Sequence, residues 1–468
     1  MSNELLPNIL ILMSDQHRAD CMSCAGHPQI KTPNMDRLAE KGWLFNQAYT
    51  VSPVCMPARA SFINGRYPHN HGMWHNSGRM PDKQETFLHS LQKAGYYTSY
   101  IGKAHFYPNE KGHTKDEEIY MKSRGFDYVH EVPGPWGSVI KQESPYSDML
   151  RKQGLWESFY QDYENRKNVK SPSLYAAVSP IPTEYYLDSY IGNHGAEFIK
   201  TLDSGTPSCV FISFGGPHEP HDPPGKYASM YRPEHAPEPI RVPKGGNDLP
   251  LDDVLNMRVH DYGKITLIDD LIGNILAAYE KRGLLDNLLI VYISDHGEMA
   301  GDHGRMGKQC FYDASVRVPL IISCPDRFTI GKSSRALVES IDIYPTIIEI
   351  IGHEASNQCQ GKSLLPLLSG NREHHRDKIL SEVATSLNGS RQRTYMIMND
   401  QYKYAVDEKG NGFLMIDRKN DPEEKNNLTG NPEWKETEKE MRDILLRTIL
   451  NTQTGVTETN GVFSDAIL

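Results

Sequence analysis

The stretch NILILMSDQ, residues 8–16, determines the fold prediction for the whole sequence. Residues 8–14 form a nearly continuous apolar run of strand length, and an aspartate follows at once. Four further runs of this kind are YYTSYIG (96–102), CVFISFGG (209–216), LLIVYIS (288–294) and VPLIIS (318–323). Apolar strands that alternate with helical stretches are typical of a parallel sheet covered on both faces. The sequence therefore predicts an α/β fold with a large mixed, mostly parallel sheet between helices.

Polar side chains follow four of these five runs. Since the carboxyl ends of parallel strands meet at one edge of a sheet, the residues that follow them are expected to lie together. These residues are Asp15 and Gln16 after the first run, Lys103 and His105 after the second, His218 after the third, and Asp295 and His296 after the fourth. The pattern predicts a functional site at this edge.

A change of pattern near residue 370 indicates two parts of the chain. Residues 1–370 contain all five runs and are predicted to form the main α/β domain, with residues 108–185 as an insertion on the substrate side. Residues 217–250 hold nine prolines and are predicted to form a rigid, extended loop. Residues 371–468 are predicted to form a smaller C-terminal α+β subdomain with a small antiparallel sheet and a helix.

Composition and charge argue against several classes of partner. The 468 residues carry a formal net charge of −10, whereas a general nucleic-acid binder needs a basic surface. No apolar run approaches the ~18 residues of a membrane helix, and no basic residues precede the first apolar run as in a signal peptide. We therefore expect no nucleic acid and no membrane as partners. We expect a cytoplasmic location, or a periplasmic one if the numbering is that of a mature form.

Asp15, Asp295 and His296 are the first candidates for metal ligands. Carboxylate oxygens suit hard divalent cations, and an imidazole nitrogen shifts the preference toward manganese or zinc. The alternative is that both aspartates cap the helices that follow them. Helix capping explains less well why a histidine and a glutamate follow in SDHGEMAGDHGRMGK.

Lys103, His105, His218 and Lys308 are candidates for holding and protonating a tetrahedral oxyanion. Cations neutralise such an anion, and an imidazole moves a proton near neutral pH. Each lysine taken singly also fits a solvated surface residue, and a lone histidine also fits a structural role. In PHEPHDPP, spacing alone does not choose between His218 and His221.

Cys55 lies in SPVCMPARASFINGR, residues 52–66, where a helix is predicted to begin. The positive end of that helix would lower the pKa of the thiol. A thiol phosphatase needs an arginine six residues after its cysteine, but that position is Ser61, and Arg59 lies at plus four. The spacing therefore excludes this use of the thiol.

Several segments form an ordered set of motifs along nearly the whole chain. CMPAR carries a C-x-P-x-R pattern, and SFINGRYP continues it. The other segments are ILMSDQHRAD, TPNMDRLAEKG, YIGKAHF, GGPHEPHDPP, SDHGEMAGDHGRMGK and IDRKNDPEEKNNL. In this order they resemble the sulfatase family of the alkaline phosphatase superfamily. The resemblance implies an alkaline phosphatase-like fold and a sulfuric ester hydrolase.

The resemblance also implies a modified cysteine and a bound metal. In that family a formylglycine-generating enzyme oxidises the cysteine of C-x-P-x-R to formylglycine, so this enzyme would be a maturation partner. The residues that would hold one divalent cation, Ca²⁺ or Mn²⁺, are Asp15, Gln16, the modified Cys55, Asp295 and His296.

Catalytic roles follow from the same resemblance, position by position. Arg59 would support the formylglycine hydroxyls, and Lys103 and Lys308 would bind the sulfate oxygens. His105 would be the base of the elimination step, and His218 would be the acid that protonates the leaving alcohol. Asn76 and His221 are predicted to contact the substrate.

Two departures from the family pattern leave a second activity open. Many sulfatases carry aspartate at the position of Gln16 and asparagine at that of His296. The pattern seen here, and MYRPEHAPEPIR (230–241), resemble the phosphonate monoester hydrolases, whereas Lys103 is typical of sulfatases. We expect a sulfatase that acts on a sugar, choline or aryl sulfate. The alternative is a phosphonate monoester or phosphodiester hydrolase, and a remote one is a non-catalytic glycan-binding homologue.

Overall fold

A computed structural model describes residues 6–82, 84–242, 249–387 and 389–453 of the chain. The strands are β1 (Asn8–Asp15), β2 (Trp43–Phe45), β3 (Ala48–Tyr49), β4 (Tyr97–Gly102), β5 (Gly112–His113), β6 (Tyr128–Glu131), β7 (Gln142–Glu143), β8 (Ser208–Pro217), β9 (Leu288–Ser294), β10 (Leu320–Ser323), β11 (Lys332–Ser334), β12 (Val338–Glu339), β13 (Ile379–Leu387), β14 (Ser390–Met398), β15 (Tyr402–Asp407) and β16 (Gly412–Asp417). The helices are α1 (Pro33–Glu40), α2 (Cys55–Asn64), α3 (Pro68–His71), α4 (Phe87–Lys93), α5 (Glu118–Lys122), α6 (Pro135–Lys141), α7 (Pro145–Lys152), α8 (Trp156–Lys167), α9 (Leu187–Thr201), α10 (Leu251–Lys281), α11 (Asp313–Val316), α12 (Ile343–Ile350), α13 (Leu365–Leu368) and α14 (Lys435–Thr452).

The main sheet has eight strands in the order β11-β2-β10-β9-β1-β8-β4-β6. β1 pairs in parallel with β8 on one side and with β9 on the other, and β4 continues the parallel arrangement beyond β8. The mixed, mostly parallel sheet that the apolar runs predict is confirmed. β10, the VPLIIS run, lies antiparallel to both β9 and β2, so its carboxyl end points to the opposite edge. This direction explains why that run alone brings no titratable residue to the site.

Helices cover both faces of the sheet, and the side chains of β1 alternate between two cores. Ile9, Ile11 and Met13 lie in the core formed with α2, α4 and α12. Leu10 and Leu12 lie in the core formed with α9 and α10. Because neither face meets water, the strand needs no alternating polar residues and is apolar throughout.

The longest helix, α10, lies against β8 and α9 and packs across the sheet. It ends where Gly283 adopts a left-handed φ of +64° and donates its N–H to the carbonyl of Glu280 at 2.9 Å. Glycine adopts this conformation without the steric cost that a side chain would add. Within the described ranges, no helix combines the length and the apolar character that a membrane crossing requires.

The C-terminal strands β13 to β16 form a second, antiparallel sheet, and α14 packs against it. The small antiparallel sheet and the helix predicted for this region are therefore present. This sheet shares a hydrophobic core with the larger part of the chain, since Tyr49, Val54 and Phe311 cluster with Met396 and Ile416. The boundary at residue 370 stays a prediction.

A buried group of charges also joins the C-terminal sheet to the larger part. Lys403 of β15 is fully buried, and its ammonium lies 2.7 Å from a carboxylate oxygen of Asp313 and also contacts Glu424. Glu424 accepts a hydrogen bond from the backbone N–H of Asp313 at 2.6 Å, at the start of α11. Carbonyl groups of α11 in turn accept hydrogen bonds from Gly297 and Glu298, at 2.9 and 2.8 Å. The C-terminal sheet thereby supports the loop that follows β9.

Lys403→Met is expected to destabilise the protein by about 3 kcal/mol, because the variant leaves the buried carboxylate of Glu424 and the half-buried one of Asp313 without this cation. Chemical denaturation followed by circular dichroism measures this change. Lys409→Met, at an exposed turn after β15, is the matched control and should change the free energy of unfolding by less than about 0.5 kcal/mol. Equal stability of the two variants would show that the buried charge group contributes nothing to folding.

Candidate active site

Four buried side chains converge at the carboxyl edge of the main sheet. Asp15 ends β1 and Asp295 follows β9, and these two strands are adjacent and parallel, so both carboxylates emerge side by side. Potential ligand atoms of Asp15, Cys55, Asp295 and His296 all lie within 4.8 Å of one another. Cys55 is the first residue of α2, and its sulfur lies 3.1 Å from Nε2 of His296. The structure thus brings together four of the five residues predicted to hold a metal.

Arg59 lies one helical turn after Cys55 and holds this group in place. Its guanidinium donates to Asp295 at 2.8 Å and to Asp15 at 3.0 Å. The same group donates to the carbonyl of Lys103 at 2.7 Å and to the hydroxyl of Ser213 at 2.8 Å. Since the planar guanidinium has five donors and keeps its charge when buried, it fixes both carboxylates and two further strands at once.

The charges of the site oppose the effect of burial on its acidic groups. Burial and Cys55 raise the pKa of Asp15, but Lys103 and other nearby cations outweigh them and hold that pKa well below its usual range. Burial likewise opposes ionisation of the Cys55 thiol, but Lys308, His296 and Lys103 hold its pKa well below the ordinary value. The surrounding cations therefore favour the anionic form of both groups.

His296 is oriented so that one ring nitrogen faces the site. Its Nδ1 lies 2.9 Å from the carbonyl of Gly297, while Nε2 faces Cys55. Burial lowers the pKa of His296, but Asp295 and Cys55 outweigh burial and raise that pKa to about 9. A cation bound between these anions would take the place of this proton. Fixing Nδ1 on a carbonyl is how proteins orient an imidazole toward a metal.

Lys103 and His105 lie on the β4 side of the site. The ammonium of Lys103 donates to the carboxylate of Asp15. His105 contacts Cys55, and burial is the main cause of the lowered pKa of its imidazole. Its Nδ1 is buried and has no hydrogen-bond partner among the described residues. The ring is therefore neutral near pH 7 and able to accept a proton.

His218, which follows β8, and Lys308 both interact with Glu219. The backbone N–H of His218 donates to the carbonyl of Asp15 at 3.1 Å, and its Nδ1 lies 3.3 Å from a carboxylate oxygen of Glu219. Burial raises the pKa of Glu219, but His218 and Lys308 outweigh burial and hold it well below its usual value. The sequence motifs did not indicate Glu219 as a residue of the site.

Gln16 is held by hydrogen bonds from both ends of its amide. The amide oxygen accepts from Lys308, and the amide nitrogen donates to Glu219 at 2.9 Å and to Glu298. The residue has a left-handed φ of +69°, which is uncommon for glutamine. In this arrangement the amide oxygen orients Lys308, and the predicted role of Gln16 as a metal ligand stays a prediction.

Asn76 and His221, predicted to contact substrate, have other partners in the structure. The side-chain oxygen of Asn76 accepts from the backbone N–H of Met56 at 2.9 Å and so caps the first turn of α2. His221 is buried, with Nδ1 2.7 Å from Asp261 and Nε2 3.1 Å from the carbonyl of Ser173. Both ring nitrogens of His221 are thus engaged within the chain.

Lys264 is a further residue that the motifs did not indicate. It is fully buried in α10 and donates to the carbonyl of Pro220 at 2.9 Å and to that of His218. The sequence could have indicated it, because Lys264 lies four residues before Ile268 on the apolar stripe of the helix. A lysine on such a stripe needs internal acceptors, and here they are the carbonyls of the loop that carries His218.

The residues present fit a divalent cation. Two carboxylates and one imidazole are the donors that manganese accepts, and the carboxylates also suit calcium. Arg59 and the carbonyl at Nδ1 of His296 orient these donors from behind. These donors, with the lysines and histidines around them, form a candidate catalytic metal centre at the carboxyl edge of the sheet.

Comparison with known proteins identifies the family. A family model described as Sulfatase matches residues 7–353, and one described as N-sulphoglucosamine sulphohydrolase, C-terminal, matches residues 301–451. The chain belongs to the sulfatase family and is a sulfuric ester hydrolase, as the sequence motifs predict.

Individual relatives cover nearly the whole chain. An arylsulfatase of Clostridium perfringens is 29% identical over 97% of this chain and 96% of its own length. An N-acetylglucosamine-6-O-sulfatase of Bacteroides thetaiotaomicron is 27% identical over 94% of this chain and 86% of its own length. The solved phosphonate monoester hydrolase of Agrobacterium radiobacter has the same fold, with a TM-score of 0.83, 23% identity and 96% coverage of both chains.

Asp295→Asn is expected to weaken Mn²⁺ binding by more than about tenfold, because it removes one anionic donor and the partner of Arg59. Titration calorimetry of chelator-treated protein with MnCl₂ and, separately, CaCl₂ measures the affinity. Asp252→Asn, in the exposed first turn of α10, is the matched control and should bind as the wild type does. Unchanged affinity of the Asp295 variant would place the cation elsewhere.

Proposed function

We propose that the protein hydrolyses an organic sulfate monoester with a formylglycine nucleophile made from Cys55. The observation that carries this proposal is the position of Cys55 at the start of α2, with its sulfur 3.1 Å from His296 and 3.9 Å from Asp15. The residue is fully buried among the carboxylates, lysines and histidines that such a reaction requires. The relatives named as an arylsulfatase and an N-acetylglucosamine-6-O-sulfatase support the sulfate ester as substrate.

The proposed modification explains why a cysteine occupies this position. Hydrated formylglycine carries two hydroxyl groups on one carbon, so one can attack sulfur while the other later expels sulfate as the carbonyl re-forms. A serine or cysteine nucleophile would retain a stable ester instead. The modification implies a formylglycine-generating enzyme as a partner during maturation.

The cation and the two lysines would neutralise the sulfate group. Asp15, Asp295, His296 and residue 55 would hold the cation, which supplies a Lewis acid that polarises the sulfate and favours the nucleophilic alkoxide. Lys103 and Lys308 would donate to the non-bridging sulfate oxygens. Arg59 would hold the aspartates and residue 55 in position and is not itself required to contact the substrate.

Two histidines of the site suit the two proton transfers. His105 would accept the proton of the second hydroxyl when sulfate is expelled, since burial keeps its imidazole neutral. His218 would protonate the oxygen of the leaving alcohol, and Glu219 orients its ring, with the backbone carbonyl 2.8 Å and the carboxylate 3.3 Å from Nδ1.

Peptide mass spectrometry of the fragment that contains Cys55 tests the nucleophile. Protein made in a host that contains the modifying enzyme is expected to carry an aldehyde or its hydrate at residue 55. The same protein made in a host without that enzyme should carry a thiol and show no sulfatase activity. An unmodified thiol together with full activity would refute the formylglycine mechanism.

Lys103→Ala is expected to lower kcat/KM for an aryl sulfate by about 100-fold to 1,000-fold, because a buried oxyanion loses its counter-charge. Steady-state hydrolysis of 4-nitrophenyl sulfate measures this loss. Lys93→Ala, whose side chain is 69% exposed, is the control and should retain full activity. Near-normal turnover by the Lys103 variant would contradict the proposed role.

A phosphonate monoester or phosphodiester hydrolase is the second candidate. Two observations support this candidate: the fold similarity to the solved phosphonate monoester hydrolase and the placement of Gln16 beside Lys308. Lys103 at the site argues for the sulfatase. A preference of several orders of magnitude for an aryl phosphonate or phosphodiester over 4-nitrophenyl sulfate, in one preparation, would reverse this choice.

A further inference from the structure

A cleft of about 320 Å³ opens beside Lys308, a residue of the candidate active site. Ligand pockets in proteins have volumes of roughly 300–1,000 Å³, so this cleft has room for an alcohol of the size of one sugar unit. Among the described residues, its lining contains Met299 and Met306 beside two cations, Lys308 and Arg305, and no acidic residue. This local charge is opposite in sign to the net charge of the whole chain.

Arg305 is the cation of the cleft that is available to a ligand. Glu219 approaches Lys308 from the side of Gln16 and balances part of its charge. By contrast, no carboxylate of the described residues forms an ion pair with Arg305, which is exposed. Its guanidinium lies 5.9 Å from the ring of Tyr312, and that ring stacks on His303 at 4.0 Å. These rings support the guanidinium without neutralising it.

Part of the cleft lining comes from the insertion. Ser173 belongs to residues 108–185, and its carbonyl lies 3.1 Å from Nε2 of the buried His221. Nδ1 of His221 lies 2.7 Å from Asp261 of α10. Because His221 joins the insertion to this helix, it acts as a positioning residue for the cleft and need not contact the substrate. Ser173 and residues between 299 and 310, which belong to different segments of the chain, therefore line the same cleft.

From the charge and position of this cleft, we infer that the natural substrate is a sulfated alcohol that carries a second anionic group, which Arg305 binds. The inference rests on the proposed function, because it assigns the cleft to the leaving alcohol. A planar guanidinium recognises a carboxylate or a second sulfate through paired hydrogen bonds. Anionic saccharides have this chemistry. Choline sulfate does not, because its trimethylammonium group would face two cations and no acidic residue.

The test compares Arg305→Gln with the wild type on four substrates. These are glucose 6-sulfate, a glucose disulfate, a glucuronate sulfate and choline sulfate. The wild type should have the highest kcat/KM for the two substrates with a second anion and the lowest for choline sulfate. In Arg305→Gln, the ratio of kcat/KM for the disulfate to that for glucose 6-sulfate should fall about tenfold, mainly through KM. Added salt should lower the same ratio in the wild type.

Two variants control for unspecific effects. Arg305→Lys retains the charge and should keep most of the preference, although it loses the paired geometry. Arg232→Gln, whose side chain is 75% exposed and lies outside the cleft, should behave as the wild type on all four substrates. A larger loss for the disulfate than for the glucuronate identifies sulfate as the second anion, and the reverse identifies carboxylate. Unchanged substrate ratios in Arg305→Gln, or a wild type that prefers choline sulfate, would overturn the inference.

Binding separates this inference from the proposed function. Protein with an unmodified Cys55 should bind substrates without turning them over, so calorimetry measures their binding affinity in the absence of hydrolysis. Tighter binding of the disulfate than of glucose 6-sulfate, and loss of this difference in Arg305→Gln, would support the inference even if modified protein proved inactive. Equal binding of both ligands to the wild type would overturn it even if modified protein hydrolyses 4-nitrophenyl sulfate.

Discussion

The buried guanidinium of Arg59 is the interaction on which the rest of the site depends. Asp15 and Asp295 have fully buried side chains, and two such carboxylates side by side would repel each other. Arg59 bonds to both and also to Lys103 and Ser213, so four strands of the sheet meet at one group. The ligands are consequently preorganised by the protein, and α2 is fixed to the sheet at the same point. A lysine would not reproduce this, because it is a point charge without the planar fork.

Much of the fold and part of the site were predictable from local sequence. The buried strands are recognisable because each is apolar throughout, and parallel pairing then places Asp15 and Asp295 at one edge. The four-residue spacing of Cys55 and Arg59 puts both on one side of a helix. The direction of β10 was not readable from its own residues, because strand direction depends on connections elsewhere in the chain.

Other members of the site depend on contacts between distant segments. Ser213, Glu219 and Lys264 act through partners that lie up to 203 positions away, and no local pattern specifies such pairs. For Asn76 and His221, the predicted contact with substrate stays a prediction. Both lie near the site in sequence, yet their polar atoms bond to α2, α10 and the insertion. A polar residue near a motif is therefore as consistent with scaffolding as with substrate contact.

The core that the C-terminal sheet shares with the segment before α2 has a consequence for how the protein is made. Val54, next to Cys55, packs in one cluster with Ile416 of β16, so this cluster is complete only after β16 has been synthesised. At roughly 5–20 residues per second, translation from residue 55 to residue 416 takes roughly 20–70 seconds. Under the proposed formylglycine mechanism, the order of synthesis would give the modifying enzyme a time window in which to reach the cysteine.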